Sequence, residues 1–300
     1  MDGILNIYKE KGFTSHDVVA VVRKTLHMKK VGHTGTLDPD AQGVLPICVG
    51  KGTKLAEIIM DGRKSYRAIL HLGITTTTED ASGEVLEEKP VAFDEEKIRE
   101  AVKAFIGEIE QVPPMYSAIK INGKKLYELA REGKEIERKA RKITVFDIRI
   151  RRFLPPFQVE IDVDCSKGTY IRTLCADIGK ALGCGGHMAS LLRTATGGFL
   201  LENAISLGEL KALEESGQIE TALLKLEDAL GEYEKVFVLE KATKLLYNGG
   251  KIRGHFFRAE KELEKGQVVT VFDHEKNLVG IYSVMQEGED FFIKPFKMLI

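Results

Sequence analysis

Phe157-Gln158-Val159-Glu160-Ile161-Asp162-Val163-Asp164-Cys165 alternates apolar and polar side chains without a break. A period of two belongs to a pleated strand with one face toward a core. Upstream, residues 143–150 read as a second strand. Downstream, residues 171–182 read as a helix that stops at Gly183. Further out, 14–26 reads as a helix capped by Thr14 or Ser15, with Val18, Val19, Val22 and Leu26 on one face. Residues 66–72 form a strand. A helix opens at Asp94, with Ile98, Ala101, Val102 and Phe105 as its stripe and Gly107 as its stop. Pro113-Pro114 interrupts the pattern, and Ser206 with Glu209 fits a capping box. Helices and strands mix without a βαβ rhythm, which predicts an α+β fold. After about Glu232 the pieces become short and strand-like, including 267–272 and 278–284 around a turn at 273–277. A catalytic-sized unit over 1–232 and a small β-rich domain over 233–300 are expected.

Composition excludes several classes. The 300 residues are 43% hydrophobic, enough for a substantial core. No apolar run approaches the roughly 18 residues of a membrane span, and the first residues carry no basic-then-apolar leader. A cytoplasmic protein is expected. Net charge is −1, so any affinity for nucleic acid must lie in how charge is distributed. Cys48, Cys165, Cys175 and Cys184 form no C-x-x-C pair, so buried thiols are expected rather than zinc ligands or disulfides.

Two loops resemble ligand motifs and fail. Val49-Gly50-Lys51-Gly52-Thr53 has Gly52 where a phosphate loop needs Ser or Thr directly after Lys, and reads as a turn. Gly183-Cys184-Gly185-Gly186-His187 lacks the flanks of a dinucleotide site. The spacing of His33, Asp38 and Asp40 matches no metal pattern, and no metal is expected.

Four segments carry the chemistry: Gly32-His33-Thr34-Gly35-Thr36-Leu37-Asp38-Pro39-Asp40-Ala41-Gln42-Gly43-Val44-Leu45; Lys64-Ser65-Tyr66-Arg67; Cys165-Ser166-Lys167-Gly168-Thr169-Tyr170-Ile171-Arg172; and His187-Met188-Ala189-Ser190-Leu191 running to Arg193-Thr194. Taken singly, Asp38 before Pro39 reads as a turn-former. Tyr66 and Leu191 read as core residues, and Arg172 as half of a surface ion pair. Together and in this order, the four segments resemble the motifs of the tRNA pseudouridine-55 synthases of the standalone bacterial type. The resemblance covers essentially the whole chain.

The resemblance implies a mainly antiparallel mixed sheet with flanking helices, and a reaction without cofactor. Uridine 55 in the T-loop of tRNA is flipped out, its bond from N1 to C1′ is broken, and the base is rejoined through C5. Asp38 is implied as the reacting carboxylate, attacking C1′ or C6 or serving a route through a glycal. Arg172 is expected to pair with Asp38 and keep its pKa low. Tyr66 is expected to stack on the uracil and act as a late general base, Tyr170 and Leu191 to line the base pocket, and His33 to touch the extruded RNA. Residues 113–142 are similar to the family's thumb-like insertion, with Lys124, Lys125 and Tyr127 as RNA contacts. Residues 120–152 hold twelve basic and five acidic side chains, an imbalance suited to a phosphate backbone. Asn248-Gly249-Gly250-Lys251-Ile252 and Ile293-Lys294-Pro295-Phe296 resemble a PUA-type RNA-binding domain. The family's Lys-Pro-x-Gly-x-Thr-Ser appears as Lys9-Glu10-Lys11-Gly12-Phe13-Thr14-Ser15, and the missing proline is expected to loosen the strand exit. The implied partner is the tRNA T-arm alone, bound by a monomer without a membrane or an obligate protein partner. A guide-dependent relative would lack the basic insertion. A non-catalytic RNA-folding module is the alternative of another class, and an Asp38→Asn variant separates it from an enzyme.

Overall fold

A computed structural model of the chain describes residues 1–121, 123–288 and 290–300. Asn122, inside the expected insertion, lies outside the described residues. The alternating stretch forms the strand Gln158–Cys165, with Val159, Ile161 and Val163 buried against one core. Each such side chain contributes on the order of 1.5–3 kcal/mol by leaving water. Phe157, expected to open this face, is 45% exposed, because the chain is still turning there.

This strand lies in a ten-stranded sheet. Its main path runs Leu223–Leu224, Gly3–Lys9, Gln42–Val49, Gly186–Thr196, Lys64–Leu72, Gln158–Cys165, Arg141–Leu154, Gly107–Gln111, with Val31–His33 paired to Gln42–Val49 and Phe199–Leu200 to Gly186–Thr196 off that path. Every pairing along this path is antiparallel except one: Gly186–Thr196 runs parallel to Gln42–Val49, with Arg193 opposite Gly43. The strand expected at 143–150 extends to Arg141–Leu154. Its charged C-terminal end is held by ion pairs across to Gln158–Cys165, Arg151 to Asp162 at 2.9 Å and Arg152 to Glu160 at 3.0 Å.

Local signals set the helix ends. Thr14 caps Ser15–Thr25 in a capping box with Asp17, and Ser206 caps Leu207–Glu215 with Glu209. Ile171–Ala181 ends before Gly183, which takes a φ of 79°. Asp94 caps Glu95–Lys103, but Gly107 is not its stop: the helix closes at Ala104, and Gly107 opens the next strand. Val49 to Thr53 gives no phosphate loop; Gly50–Leu55 is a 3-10 helix. Cys48, Cys165 and Cys175 are buried free thiols, and Cys184 is partly buried.

From Glu234 on, a separate six-stranded sheet forms around Val236, Val271, Tyr282 and Ile293. The Asp273 carboxylate accepts from the backbone N–H of Glu275 and of Asn277, which closes the expected turn. This sheet packs on the first through Ile281 and Leu299, which join Ile4, Cys48 and Leu55 in one cluster. Among the described residues no helix is long and apolar enough to cross a membrane.

Candidate active site

The loop between Val31–His33 and Gln42–Val49 presents Asp38 and is pinned from three sides. Ser15, at the start of its helix, accepts from the Leu37 N–H at 2.9 Å. Gly12 donates to Pro39 O at 2.9 Å. The Lys9 ammonium, fully buried, donates to Glu10 O at 3.0 Å, Pro39 O at 3.0 Å and Ala41 O at 2.6 Å. The exit from Gly3–Lys9 is therefore tied to the Asp38 loop, and the missing proline loosens nothing visible. Desolvation brings the Lys9 pKa down to about 8, against Asp38 and Asp40, which raise it.

Arg172, on the first turn of Ile171–Ala181, faces this loop. Its Nε lies 3.1 Å from Asp38 Oδ2. The Arg172 side chain is 6% exposed and the Asp38 side chain 40%, so the pair is buried on its guanidinium side. Its Nη1 reaches Asp80 Oδ2 at 3.3 Å, and its Nη2 donates to Tyr116 O at 2.9 Å. Asp80 is itself fixed: Thr78 Oγ1 and Ser82 Oγ each donate to its Oδ1 at 2.6 Å. One guanidinium thus spans two carboxylates, one open to the site and one locked behind it. Sequence reasoning missed Asp80, whose 92-residue separation from Arg172 leaves no local signal.

The pairing does not hold the Asp38 carboxyl low, as the sequence led one to expect. Burial raises its pKa above 3.8, Arg172 offsets part of that rise, and Asp80 adds to it. A charge removed from water loses more than one neighbouring cation returns.

Tyr66 is buried on the core face of Lys64–Leu72, in the same apolar cluster as Leu37, Ala41 and Leu191. Burial raises its phenol pKa, and Arg193 opposes the rise. Asp38, Arg172, Tyr66 and Leu191 are brought to one place by the loop, one helix and two adjacent strands. His33 is partly buried, accepts from Gly35 N at 3.2 Å through Nδ1, and packs edge-on to His16. Burial lowers its pKa, helped by His16 and Arg193. Tyr170 lies outside the Tyr66 cluster; its backbone is clamped by Gln111, which accepts from its N–H at 2.8 Å. Lys124, Lys125 and Tyr127 stand on the insertion, and their contacts are local: Lys125 Nζ to the Tyr127 hydroxyl at 3.2 Å, Lys124 to Glu132 at 3.3 Å. Among the described residues no three His, Cys, Asp or Glu side chains converge to hold a metal ion.

Comparison with known proteins agrees with this geometry. Residues 23–171 match the TruB family pseudouridylate synthase N-terminal domain, and 172–233 match the tRNA pseudouridylate synthase B C-terminal domain. The tRNA pseudouridine synthase B of Alkaliphilus oremlandii is 52% identical over 300 residues, covering 100% of this chain and 99% of that protein. The protein of the same name from Clostridium tetani is 45% identical over 301 residues, covering 100% of both. A solved Cbf5-Nop10-Gar1 complex matches with a TM-score of 0.78 at 29% identity, covering 99% of this chain and 85% of that one. An H/ACA RNP bound to a substrate RNA containing 2'-deoxyuridine matches at 0.76 and 26%, with coverage of 99% and 85%. The chain belongs to the TruB family of pseudouridylate synthases.

Proposed function

We propose that this chain isomerises uridine 55 in the T-loop of tRNA to pseudouridine, with Asp38 as the reacting carboxylate. The observation that carries the reading is the Asp38–Arg172 pair at 3.1 Å, beside Tyr66, in a chain similar over its whole length to tRNA pseudouridine synthase B.

The flipped base leaves its stack at a cost of a few kcal/mol. It enters between Tyr66 and Leu191, whose apolar faces recover part of that cost by stacking and burial. The N1–C1′ bond breaks with its electron pair going to the uracil. Asp38 is the anion on the far side, whether it bonds to C1′, adds at C6 or takes a proton on the way to a glycal. Arg172 keeps the carboxylate aimed, and Asp80 keeps Arg172 from turning away. After the base turns and C5 joins C1′, the C5 proton leaves to the Tyr66 oxygen. Every atom of the uridine is retained, so the reaction calls for no cofactor.

Residues 1–232 form the catalytic domain. Residues 113–142 act as a thumb on the T-arm, with Lys124, Lys125 and Tyr127 touching RNA, while His33 touches the extruded segment and Tyr170 lines the base pocket with Leu191. Residues 233–300 serve as a PUA-like RNA-binding domain. The enzyme works as a monomer on tRNA in the cytoplasm, without a guide RNA or protein partner.

The test is incubation with an unmodified tRNA transcript followed by site mapping. The parent protein yields pseudouridine at position 55. Asp38→Asn yields none and binds tRNA within about tenfold, or roughly 1.4 kcal/mol. Full product from the variant removes Asp38 from the reaction, and product at another position removes the site assignment.

A further inference from the structure

Arg193 closes the back of the same site and has no part in the chemistry described so far. It is 1% exposed and heads the fully buried side chains by size. A guanidinium that deep normally has a carboxylate beside it, since an unpaired buried charge is costly. Arg193 has none. Its Nε donates to Val44 O at 2.7 Å, while its Nη2 is buried with no hydrogen-bond partner. Its Nη1 reaches beneath the catalytic loop, 4.0 Å from where a side chain on Gly35 would begin. The ionisable groups around it are mostly other cations: Lys9, Lys64 and His33 all feel its charge as repulsion. The remaining neighbour is Tyr66, buried and directly opposite Arg193 across the pair of strands, on the same face of the sheet.

We propose that Arg193 is a positioning residue for Tyr66: its uncompensated guanidinium holds the phenolic oxygen and lets it carry the negative charge needed to accept the C5 proton. The inference rests on Tyr66 being the base of the proposed reaction. In that step the C5–H bond breaks, its electron pair forms the C5=C6 double bond, and the C6=N1 π pair moves onto N1. N1 takes a proton from water, and the C5 proton goes to a phenolate oxygen whose own proton has already left to solvent. Burial opposes that departure, as do Cys165 and Asp38; Arg193 is the strongest influence in its favour. Lys9 cannot substitute, because its ammonium is already directed at three carbonyls.

The test replaces Tyr66 by a ring-fluorinated tyrosine, which is more acidic and visible by fluorine NMR. The full-length protein is then titrated with Arg193, Arg193→Lys or Arg193→Met. The fluorine midpoint is expected to rise by about one pH unit or more in Arg193→Met and by less in Arg193→Lys. With natural Tyr66, single-turnover pseudouridine formation is expected to fall about tenfold or more in Arg193→Met, at little cost to tRNA binding. The fluorinated residue should restore part of that loss, which a merely structural arginine would not allow. If Arg193→Met does not fold, Arg193→Lys carries the test, since a lysine there cannot hold Val44 O and the phenol together. A midpoint unmoved in the folded variants overturns the proposal and leaves Tyr66 as base untouched. A midpoint that moves while rates do not upholds the coupling between the two residues and removes Tyr66 from the proton step.

Discussion

In the proposed reaction Asp38 acts as an anion, and its surroundings resist ionisation. Burial favours the neutral acid, and the Arg172 guanidinium is the strongest influence in the other direction. The reactive form is therefore lost as pH falls through a folded pKa that stands above 3.8. Single-turnover rate against pH should show an acid limb higher than an exposed aspartate would give. Removing the guanidinium with Arg172→Met leaves Asp38 facing Asp80 without its counter-charge. The limb should then move alkaline by about one unit or more and the plateau should drop. An acid limb in the same place with and without Arg172 would separate the pair. The sequence implied the ion pair correctly but misjudged its consequence, because the degree of burial is a property of everything packed around the loop.

A transverse row of paired residues crosses five strands at the site: Lys9, Gly43, Arg193, Tyr66 and Val163. Partners in register share a face of the sheet, so Lys9, Arg193 and Tyr66 lie side by side beneath the catalytic loop. Gly43 stands between the two cations at the parallel crossing. Its φ is 107°, and a β-carbon there would lie 2.2 Å from Arg193 O. Gly43→Ala must break that register or shift the strand that carries Arg193 and Leu191. It should destabilise the protein by about 2–5 kcal/mol, read as a fall in the thermal midpoint, and should lower turnover together with stability. An alanine variant with unchanged melting would mean that the crossing has slack.

The basic insertion is joined to the chemistry. Tyr116 O accepts from Arg172, the partner of Asp38, and Pro113 O accepts from Arg138 at 3.2 Å. Much of the local positive charge is already neutralised by the fold: Lys142 meets Glu108, Arg151 meets Asp162, and Arg152 meets Glu160. Among the described residues Lys120, Lys125, Arg131, Lys139 and Arg141 carry no such ion pair, so on the proposed reading they are left open to phosphate alongside Lys124. Ordering of this segment by tRNA should slow hydrogen exchange over residues 120–134, and the slowing should fade with added salt. Equal protection with and without tRNA would remove the insertion from substrate binding.

The sequence by itself determined most of the elements and which residues to expect together at the site. The two-residue period at 157–165, the caps at Thr14, Asp94 and Ser206, and the stop at Gly183 are local patterns, legible because their causes lie within a few residues. Asp38, Tyr66, Arg172 and Leu191 were legible as motifs. Tertiary structure alone decided that Asp80 braces Arg172, that Lys9 ties down the loop, and that Arg193 faces Tyr66 without a counter-ion. Those relations join residues tens to well over a hundred positions apart. They depend on strand register and on how far each charge is taken from water, quantities that exist only once the sheet has closed over the site.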